Sequence, residues 1–263
     1  MAVVYFGALA LLLVSAFWYL DPATNTIVRS LSFKNFADLI GQPVFRTIVL
    51  RTLVVAVAVT IVDGIIAFPI AYYMARVAGP RVRAALFMAV LLPLWASYLV
   101  RVYAWSVILS ENGFLSSVLN LIGLGGLSSV FGVSDVSMTV VFCYLWLPYM
   151  ILPLYAGLER IPQSFFDASA DLGAGAATTF RRVVLPLALP ALVAGSIFTF
   201  SLTLGDYITP QLTSNSRFIG TSIAESVGVA GNVPFAAALS LVPIAIIAMY
   251  VLVARRLGAF EAL

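Results

Sequence analysis

Residues 159–190 read ERIPQSFFDASADLGAGAATTFRRVVLPLALP, a polar, helix-forming insert between strongly apolar segments. Ser164 can serve as an N-cap, with Asp167 three residues later completing a weak capping box. Gly173 suits a left-handed stop after the helix. The pattern predicts a short helix held in water between two membrane spans, which is typical of a docking element. An amphipathic loop lying on the bilayer surface is the alternative.

One face of this predicted helix is small and mildly apolar, because four of its residues recur at helical spacing. These residues are Phe165, Ala168, Ser169 and Leu172. Beyond Gly173, residues 178–184 predict a second helical piece that carries two arginines. That piece is expected to end at Leu185-Pro186, where the next apolar run begins.

The composition identifies a polytopic membrane protein. Of the 263 residues 62% are hydrophobic and only 10% are charged, with a mean hydropathy of +1.08, whereas a soluble domain carries about 25% charged residues. The chain has no histidine and one cysteine, Cys143, so an internal disulfide is excluded and the usual histidine-based metal and haem sites are absent. No P-loop pattern occurs. We therefore expect no catalytic, metal or cofactor site, and the net charge of +3 gives no reason to expect nucleic acid.

The apolar runs predict an all-α fold with six transmembrane helices. A cleaved signal peptide is the alternative for the first run, although its start lacks the basic residues that such a peptide needs. Between the third and fourth runs we expect a short helix near residues 114–121, and residues 205–234 read as a polar loop. The predicted spans are residues 3–20, 48–74, 84–109, 137–158, 187–204 and 235–253.

Basic residues are distributed unequally between the two sides of these spans. The side that carries most of them is expected to be cytoplasmic, which places both termini and residues 159–186 in the cytosol. Arg51 lies near a boundary, and the other side carries Arg29, Lys34, Arg46 and Arg217. The richer side carries Arg76, Arg81, Arg83, Arg160, Arg181, Arg182, Arg255 and Arg256.

Two ionisable residues, Asp63 and Arg101, fall within predicted spans. Each would cost about 2.5–3.5 kcal/mol at the centre of a lipid-exposed helix, so each should face protein or water. They could pair with each other or with a neighbouring subunit. Alternatively, Asp63 could lie on a transport pathway and contact a cation.

Aromatic residues of the third span offer a second candidate for the pathway. Four of them, Trp95, Tyr98, Tyr103 and Trp105, could present π faces to an organic cation. An aromatic belt at the outer interface is the favoured explanation, and Tyr103 and Trp105 fit it well. Asp206 and Tyr207 lie near the outer end of the fifth span, where a substrate would be handed over. Asp206 could instead cap the following turn.

The residues of the insert resemble the EAA loop of ABC importer permeases, whose pattern is Glu-Ala-Ala, three residues, Gly, nine residues, Ile-x-Leu-Pro. Here Asp167-Ala168-Ser169 is followed at the same spacing by Gly173 and by Val183-Val184-Leu185-Pro186. The third span and residues 201–212, SLTLGDYITPQL, are similar to the polyamine branch of that family. The resemblance runs from about Pro43 to Arg256.

The resemblance implies a type I ABC importer permease in a bacterial inner membrane, with the insert as the coupling helix on an ATPase. It implies two ATPase subunits that bind ATP and Mg²⁺, a second permease that is more readily a related chain than a second copy, and an external substrate-binding protein. Polyamines, opines and other small solutes all remain open as substrates. The residues implied in ATPase coupling are Phe165, Phe166, Asp167, Ala168, Ser169, Leu172, Gly173, Leu185 and Pro186.

Two other classes of transporter remain open at this stage. A secondary transporter would couple to an ion, with Asp63 as its buried acid, but such proteins usually carry internal repeats and none is evident here. An export or lipid-handling permease would also keep a docking loop. The spacing of the insert and the lack of a fused ATPase favour import.

Overall fold

Four helices are long and apolar enough to cross a membrane in the computed structural model, which describes residues 2–256. Each contains one of the predicted spans, the second, fourth, fifth or sixth. The count of six is not confirmed, because the other two predicted spans have a different form. The four helices are Pro43–Val77, Asp135–Glu159, Ala176–Gly205 and Val233–Arg256.

The elements are labelled in chain order. They are α1 (Ala2–Ser15), β1 (Tyr19–Asp21), β2 (Thr26–Val28), α2 (Lys34–Gly41), α3 (Pro43–Tyr72), α4 (Pro80–Trp95), α5 (Tyr98–Ile108), α6 (Phe114–Leu121), α7 (Asp135–Glu159), α8 (Gln163–Asp171), α9 (Ala176–Thr179), α10 (Leu185–Gly205), α11 (Ile208–Thr213), α12 (Ile219–Gly228) and α13 (Val233–Arg256). A 3-10 turn spans Gly125–Val130, and two π-helical turns span Tyr73–Val77 and Phe180–Val184.

The first predicted span is shorter than expected. Helix α1 ends at Ser15 after 14 residues, and the chain turns into an antiparallel hairpin in which Tyr19 pairs with Val28. Buried Asn35 of α2 explains this end, because its side-chain amide donates to the carbonyl oxygens of Ala16 and Trp18 at 3.0 and 2.7 Å. These carbonyls would otherwise be unpaired beyond the helix.

The hairpin loop carries a carboxylate held by local hydrogen bonds. Its pKa lies below the ordinary value, because the backbone N–H of Ala23 and the hydroxyl of Thr24 donate to the carboxylate of Asp21.

The third predicted span is broken into two helices. Helices α4 and α5 meet at an angle of 96°, and the two residues between them, Ala96 and Ser97, have extended backbone. Pro93 lies just before the break and cannot donate an N–H to the helical ladder. The expectation of one continuous helix over residues 84–109 was therefore wrong.

Residues 205–234 are not a polar loop. They form α11 and α12, and several of their hydroxyl residues, including Thr209, Thr213 and Thr221, are buried. Backbone carbonyls accept from two of these hydroxyls, as when the hydroxyl of Thr213 donates to the carbonyl of Thr209 at 2.6 Å. The polar composition suggested exposure, but the buried hydroxyls have hydrogen-bond partners, and that of Thr209 donates to the carboxylate of Asp206. The helix expected near residues 114–121 is confirmed as α6.

The fifth span also begins earlier than predicted. The second helical piece does not stop at Leu185-Pro186, because α9, the π-helical turn and α10 form one continuous helix of 30 residues. Pro186 cannot donate a hydrogen bond to Arg182, and the π-helical turn at Phe180–Val184 accommodates this missing bond.

Helix α7 lies at the centre of the bundle, between α3 and α10. It approaches α10 closely at two glycines. A Cβ on Gly157 would lie 2.3 Å from Cβ of Ala191, and one on Gly195 would lie 3.0–3.2 Å from atoms of Met150. Many apolar side chains on the outside of the bundle, such as Ile65 and Met249, are exposed, as expected for helices that face lipid or another subunit.

We predict that Gly157→Ala lowers the thermal stability of the purified protein in detergent, because the added methyl would force α7 and α10 apart. Such overpacking typically costs about 1–3 kcal/mol. Gly64→Ala is the matched control, because its Cβ would make an ordinary contact of 3.6 Å with Leu192. Equal melting temperatures for the two variants would contradict the close approach.

Candidate functional site

The predicted docking helix is α8, which lies in the turn between α7 and α9. It begins at Gln163, with Pro162 as its N-cap residue and no side-chain capping bond. The capping role expected of Ser164 was therefore wrong. Since proline already holds φ near the helical value, the chain enters the helix two residues earlier than a cap at Ser164 would place it.

The helix ends as expected at Gly173, which has φ +73°. The N–H of Gly173 donates to the carbonyl of Ala170 at 2.8 Å, and that of Ala174 donates to Ser169 at 3.0 Å. This pair of bonds is the Schellman motif, which favours glycine at its left-handed position. A second contact closes the loop, because the hydroxyls of Ser169 and Thr179 lie 2.8 Å apart.

The predicted coupling residues of the docking helix do not all lie on its exposed side. Leu172 is 88% exposed and Phe165 is 48% exposed, and Ala168 and Asp167 are also exposed. These side chains point away from the protein. Two other predicted coupling residues point inward, because Ser169 is buried and Phe166 packs against the core cluster that includes Met74 and Leu158. The expectation that Phe166 fills a partner's groove and that Ser169 shares the face of Leu172 is therefore wrong for this structure.

The remaining two coupling residues, Leu185 and Pro186, lie in the first turn of α10. Leu185 lines an apolar cavity of about 670 Å³ between α3 and α10. The cavity also contacts Gly64, Phe68 and Met150. Its lining is almost wholly apolar, so it suits a hydrophobic group and not a charged one.

The structure brings Tyr98 and Asp206 together, although 108 positions separate them in the sequence. The hydroxyls of Tyr98 and Thr209 both donate to Oδ2 of Asp206. Oδ1 of the same carboxylate accepts the backbone N–H of Ile208 at 2.9 Å and of Thr209 at 3.4 Å. Asp206 thus caps α11, as the alternative interpretation expected, and its oxygens are fully used.

Two aromatic residues extend this cluster into the bundle. The ring of Tyr98 stacks on Trp146 with centroids 6.1 Å apart, and Trp146 contacts Tyr149 edge-on at 6.0 Å. The indole N–H of Trp146 is buried without a hydrogen-bond partner. In contrast, Trp95 is 77% exposed at the end of α4 and Tyr207 is exposed beside Asp206, so these two do not join the cluster.

Asp63 and Arg101 do not pair with each other. Asp63 is fully buried on α3, neither of its oxygens accepts a well-formed hydrogen bond, and the polar side chain that interacts with it is Cys143. Arg101 is 9% exposed, and its Nε and Nη1 are buried without partners.

Within residues 2–256, no group of three or more histidine, cysteine, aspartate or glutamate side chains is placed to hold a metal ion. The site residues that sequence reasoning missed are Trp146, Thr209 and Arg76. Trp146 lies in a proline-interrupted aromatic run whose apolar composition predicts only a transmembrane span. Arg76 enters the sequence prediction only through its positive charge, which helps to orient the chain in the membrane. No local sequence pattern predicts the contact between Thr209 and Asp206.

Residues 67–259 match the family model described as binding-protein-dependent transport system inner membrane component. This chain belongs to that family. The permease is also 47% identical, over 99% of its length and 87% of the relative, to the inner membrane ABC transporter permease protein YdcU of Escherichia coli. It is 30% identical, over 90% of its length and 84% of the relative, to the spermidine/putrescine transport system permease protein PotB of Haemophilus influenzae.

Solved structures agree on the fold. A bacterial ABC transporter involved in the import of the acidic polysaccharide alginate has a TM-score of 0.69 at 17% identity, over 97% of this chain and 91% of that one. The MetNI methionine ABC transporter in an inward-facing conformation has a TM-score of 0.58 at 16% identity, over 84% and 99%. The chain is thus an inner-membrane permease of an ABC importer, and the secondary-transporter alternative is not supported. It is a transport subunit, and in such systems a separate ATPase hydrolyses ATP.

We predict that Asp206→Ala destabilises the protein by about 1.5–3 kcal/mol, because the change removes an ionised acceptor of several hydrogen bonds. Tyr98→Phe should cost less, about 0.5–1.5 kcal/mol, since the carboxylate keeps its bonds from Thr209 and Ile208. Tyr207→Phe is the control, because that side chain is exposed. Thermal unfolding in detergent measures all three, and an unchanged midpoint for Asp206→Ala would refute the capping role.

Proposed function

We propose that this permease imports a small organic cation of the polyamine class. The observation that supports the substrate class is the 30% identity to a spermidine/putrescine permease over 90% of this chain. The structure offers groups that suit such a solute, because the rings of Trp146 and Tyr149 lie beside one another in the bundle. Ammonium groups are attracted to aromatic faces in sites that exclude water.

Asp63 is the carboxylate that we assign to the cation, as the pathway interpretation expected. The oxygens of Asp206 accept four hydrogen bonds, whereas neither oxygen of Asp63 accepts a well-formed one. Asp63 is inaccessible to solvent in this conformation, so α3 and α7 would have to separate before a cation could reach it. Arg101, Trp95, Tyr98 and Tyr207 would shape the outer part of the pathway.

We assign the exposed residues of α8 to docking on a cytoplasmic ATPase. Phe165, Ala168 and Leu172 give that surface apolar side chains, and Asp167 accepts a hydrogen bond from Gln163 at 3.2 Å along the helix. These three exposed residues recur at helical spacing and form an apolar patch on an otherwise polar loop, and such patches mark interaction sites. ATP and Mg²⁺ would bind the ATPase, and only the conformational change of the ATPase would be transmitted to this chain.

The orientation follows from the distribution of charge. Arg83 at the start of α4 pairs with Glu159 at the end of α7 at 3.2 Å, so the basic loop and the docking helix lie at the same end of the bundle. By the positive-inside rule this end faces the cytosol and both termini are cytoplasmic. The binding protein would deliver the substrate to the opposite end, where α11 and α12 lie. A second, related permease and a second ATPase would complete the assembly.

Transport would follow from a rigid-body movement. When ATP closes the ATPase dimer, α8 shifts, and α7 and α10 shift with it because they are joined to both ends of the docking loop. The pathway beside α3 and α7 would then open to the other side.

We predict that Gly173→Val reduces recovery of the ATPase with the purified permease, because valine is strained at φ +73° by about 1–2 kcal/mol and displaces Leu172. Gly175→Val is a matched control. Neither glycine has an atom within 4 Å of its Cβ position, and Gly175 has φ −74°, which valine adopts freely. If the wild type recovers no ATPase, or if both variants recover it equally, the docking assignment is wrong.

We predict that proteoliposomes with the complete transporter take up labelled putrescine or spermidine, and not methionine or alginate oligosaccharides. Asp63→Asn should raise the KM for putrescine about tenfold, the effect of losing one charge-assisted contact. Thr60→Val on the same helix is the control, because its hydroxyl donates to the backbone carbonyl of Ala56 at 2.7 Å. Uptake of a neutral or anionic solute in place of the polyamines would contradict the proposal. An unchanged KM in Asp63→Asn would remove Asp63 from the pathway.

A further inference from the structure

Arg76 connects three elements at the cytoplasmic end of the bundle. It lies in the π-helical turn Tyr73–Val77, which continues α3 beyond Tyr72. Its Nη2 donates hydrogen bonds to the carbonyl oxygens of Leu158 and Ile161. These carbonyls lie in the last turn of α7 and just beyond it, so one side chain of the second span holds the start of the docking loop.

The same guanidinium also contacts the docking helix. Its central carbon lies over the ring of Phe166, 4.7 Å from the centroid. Phe166 is the residue of α8 that turns inward and packs with the cluster that includes Ala71, Met74 and Leu158. The contact explains why Phe166 is not exposed as Leu172 and Phe165 are.

The chemistry of arginine suits this position. The carbonyl end of a helix carries partial negative charge and favours a cation. A planar guanidinium can donate in its plane and stack on a ring with its face, which an ammonium group cannot do at the same time. Neighbouring Arg83 differs, because its ion pair with Glu159 is partly open to solvent, with side chains 37% and 47% exposed, and such pairs contribute little.

We propose that Arg76 is a positioning residue that joins α3 to the docking helix, so that a displacement of α8 moves the second span together with α7 and α10. Helix α3 carries Asp63 and lines the apolar cavity through Gly64 and Phe68. The second span thereby moves together with the docking helix, although the two are not adjacent in sequence. This inference rests on the proposed docking of α8 on an ATPase.

The test measures solute transported per ATP hydrolysed in proteoliposomes that contain the complete transporter. Arg76→Gln is expected to keep the bound ATPase and to lower this ratio about tenfold, a typical size for coupling between sites. Arg76→Lys keeps the charge but not the planar guanidinium, so its ratio of solute transported to ATP hydrolysed should lie between those of Arg76→Gln and wild type. Arg81→Gln is the matched control, because Arg81 lies five residues further along the chain, in the first turn of α4, and is exposed.

Phe166→Leu tests the ring contact in case Arg76→Gln fails to fold. It keeps apolar packing but removes the π face, so the ratio should fall while the melting temperature stays near that of wild type. The double variant Arg76→Lys, Phe166→Leu should be no worse than the lower single variant, because both remove one contact.

Three outcomes would overturn the proposal. If the ratio stays at the wild-type value in Arg76→Lys and Phe166→Leu, Arg76 does not transmit movement. If Arg76→Gln lowers only the melting temperature and the ATPase content, Arg76 is merely a cap on α7. If the wild type itself binds no ATPase, the proposed function fails together with this inference, and ATPase recovery distinguishes that case from the other two.

Discussion

The close packing of α7 against α10 is the constraint on which the rest of the structure depends. Gly157 and Gly195 allow the two helices to approach so closely that a Cβ would collide with Ala191 or Met150. The docking helix α8 is joined to both, and the contact between Ser169 and Thr179 closes the loop between them. A force on α8 therefore acts on a unit of two packed helices, which is the mechanical requirement for coupling ATP hydrolysis to a distant pathway.

The docking loop could be predicted from the sequence because its signals are local. Gly173 stops the helix through a backbone conformation that glycine favours. Four of the six predicted spans are found as long apolar helices, because membrane depth fixes the length of the apolar run. The N-cap is Pro162 and not the expected Ser164, which moves the start of the helix by two residues and leaves the element itself as predicted. Local chemistry therefore sufficed for the part of the chain that gives the family its motif.

Features that depend on tertiary contacts could not be predicted. Tyr98 and Asp206 are 108 positions apart, and no pattern within either segment indicates that they meet. Hydropathy predicts residues 3–20 and 84–109 as single spans. It contains no information about the hydrogen bonds by which Asn35 ends α1, or about the bend after Pro93. The inward turn of Phe166 depends on Arg76, which the sequence presented only as one basic residue among several.

The measurement that tests the account most directly is the distance between the docking helix and α10 during the transport cycle. Spin labels at Ser164 and Leu189, both exposed, would be introduced after Cys143 is replaced, with the ATPase bound. We expect the same distance distribution in the nucleotide-free and ATP-bound states, because α8 and α10 move together. A shifted or broadened distribution on ATP binding would contradict the rigid junction.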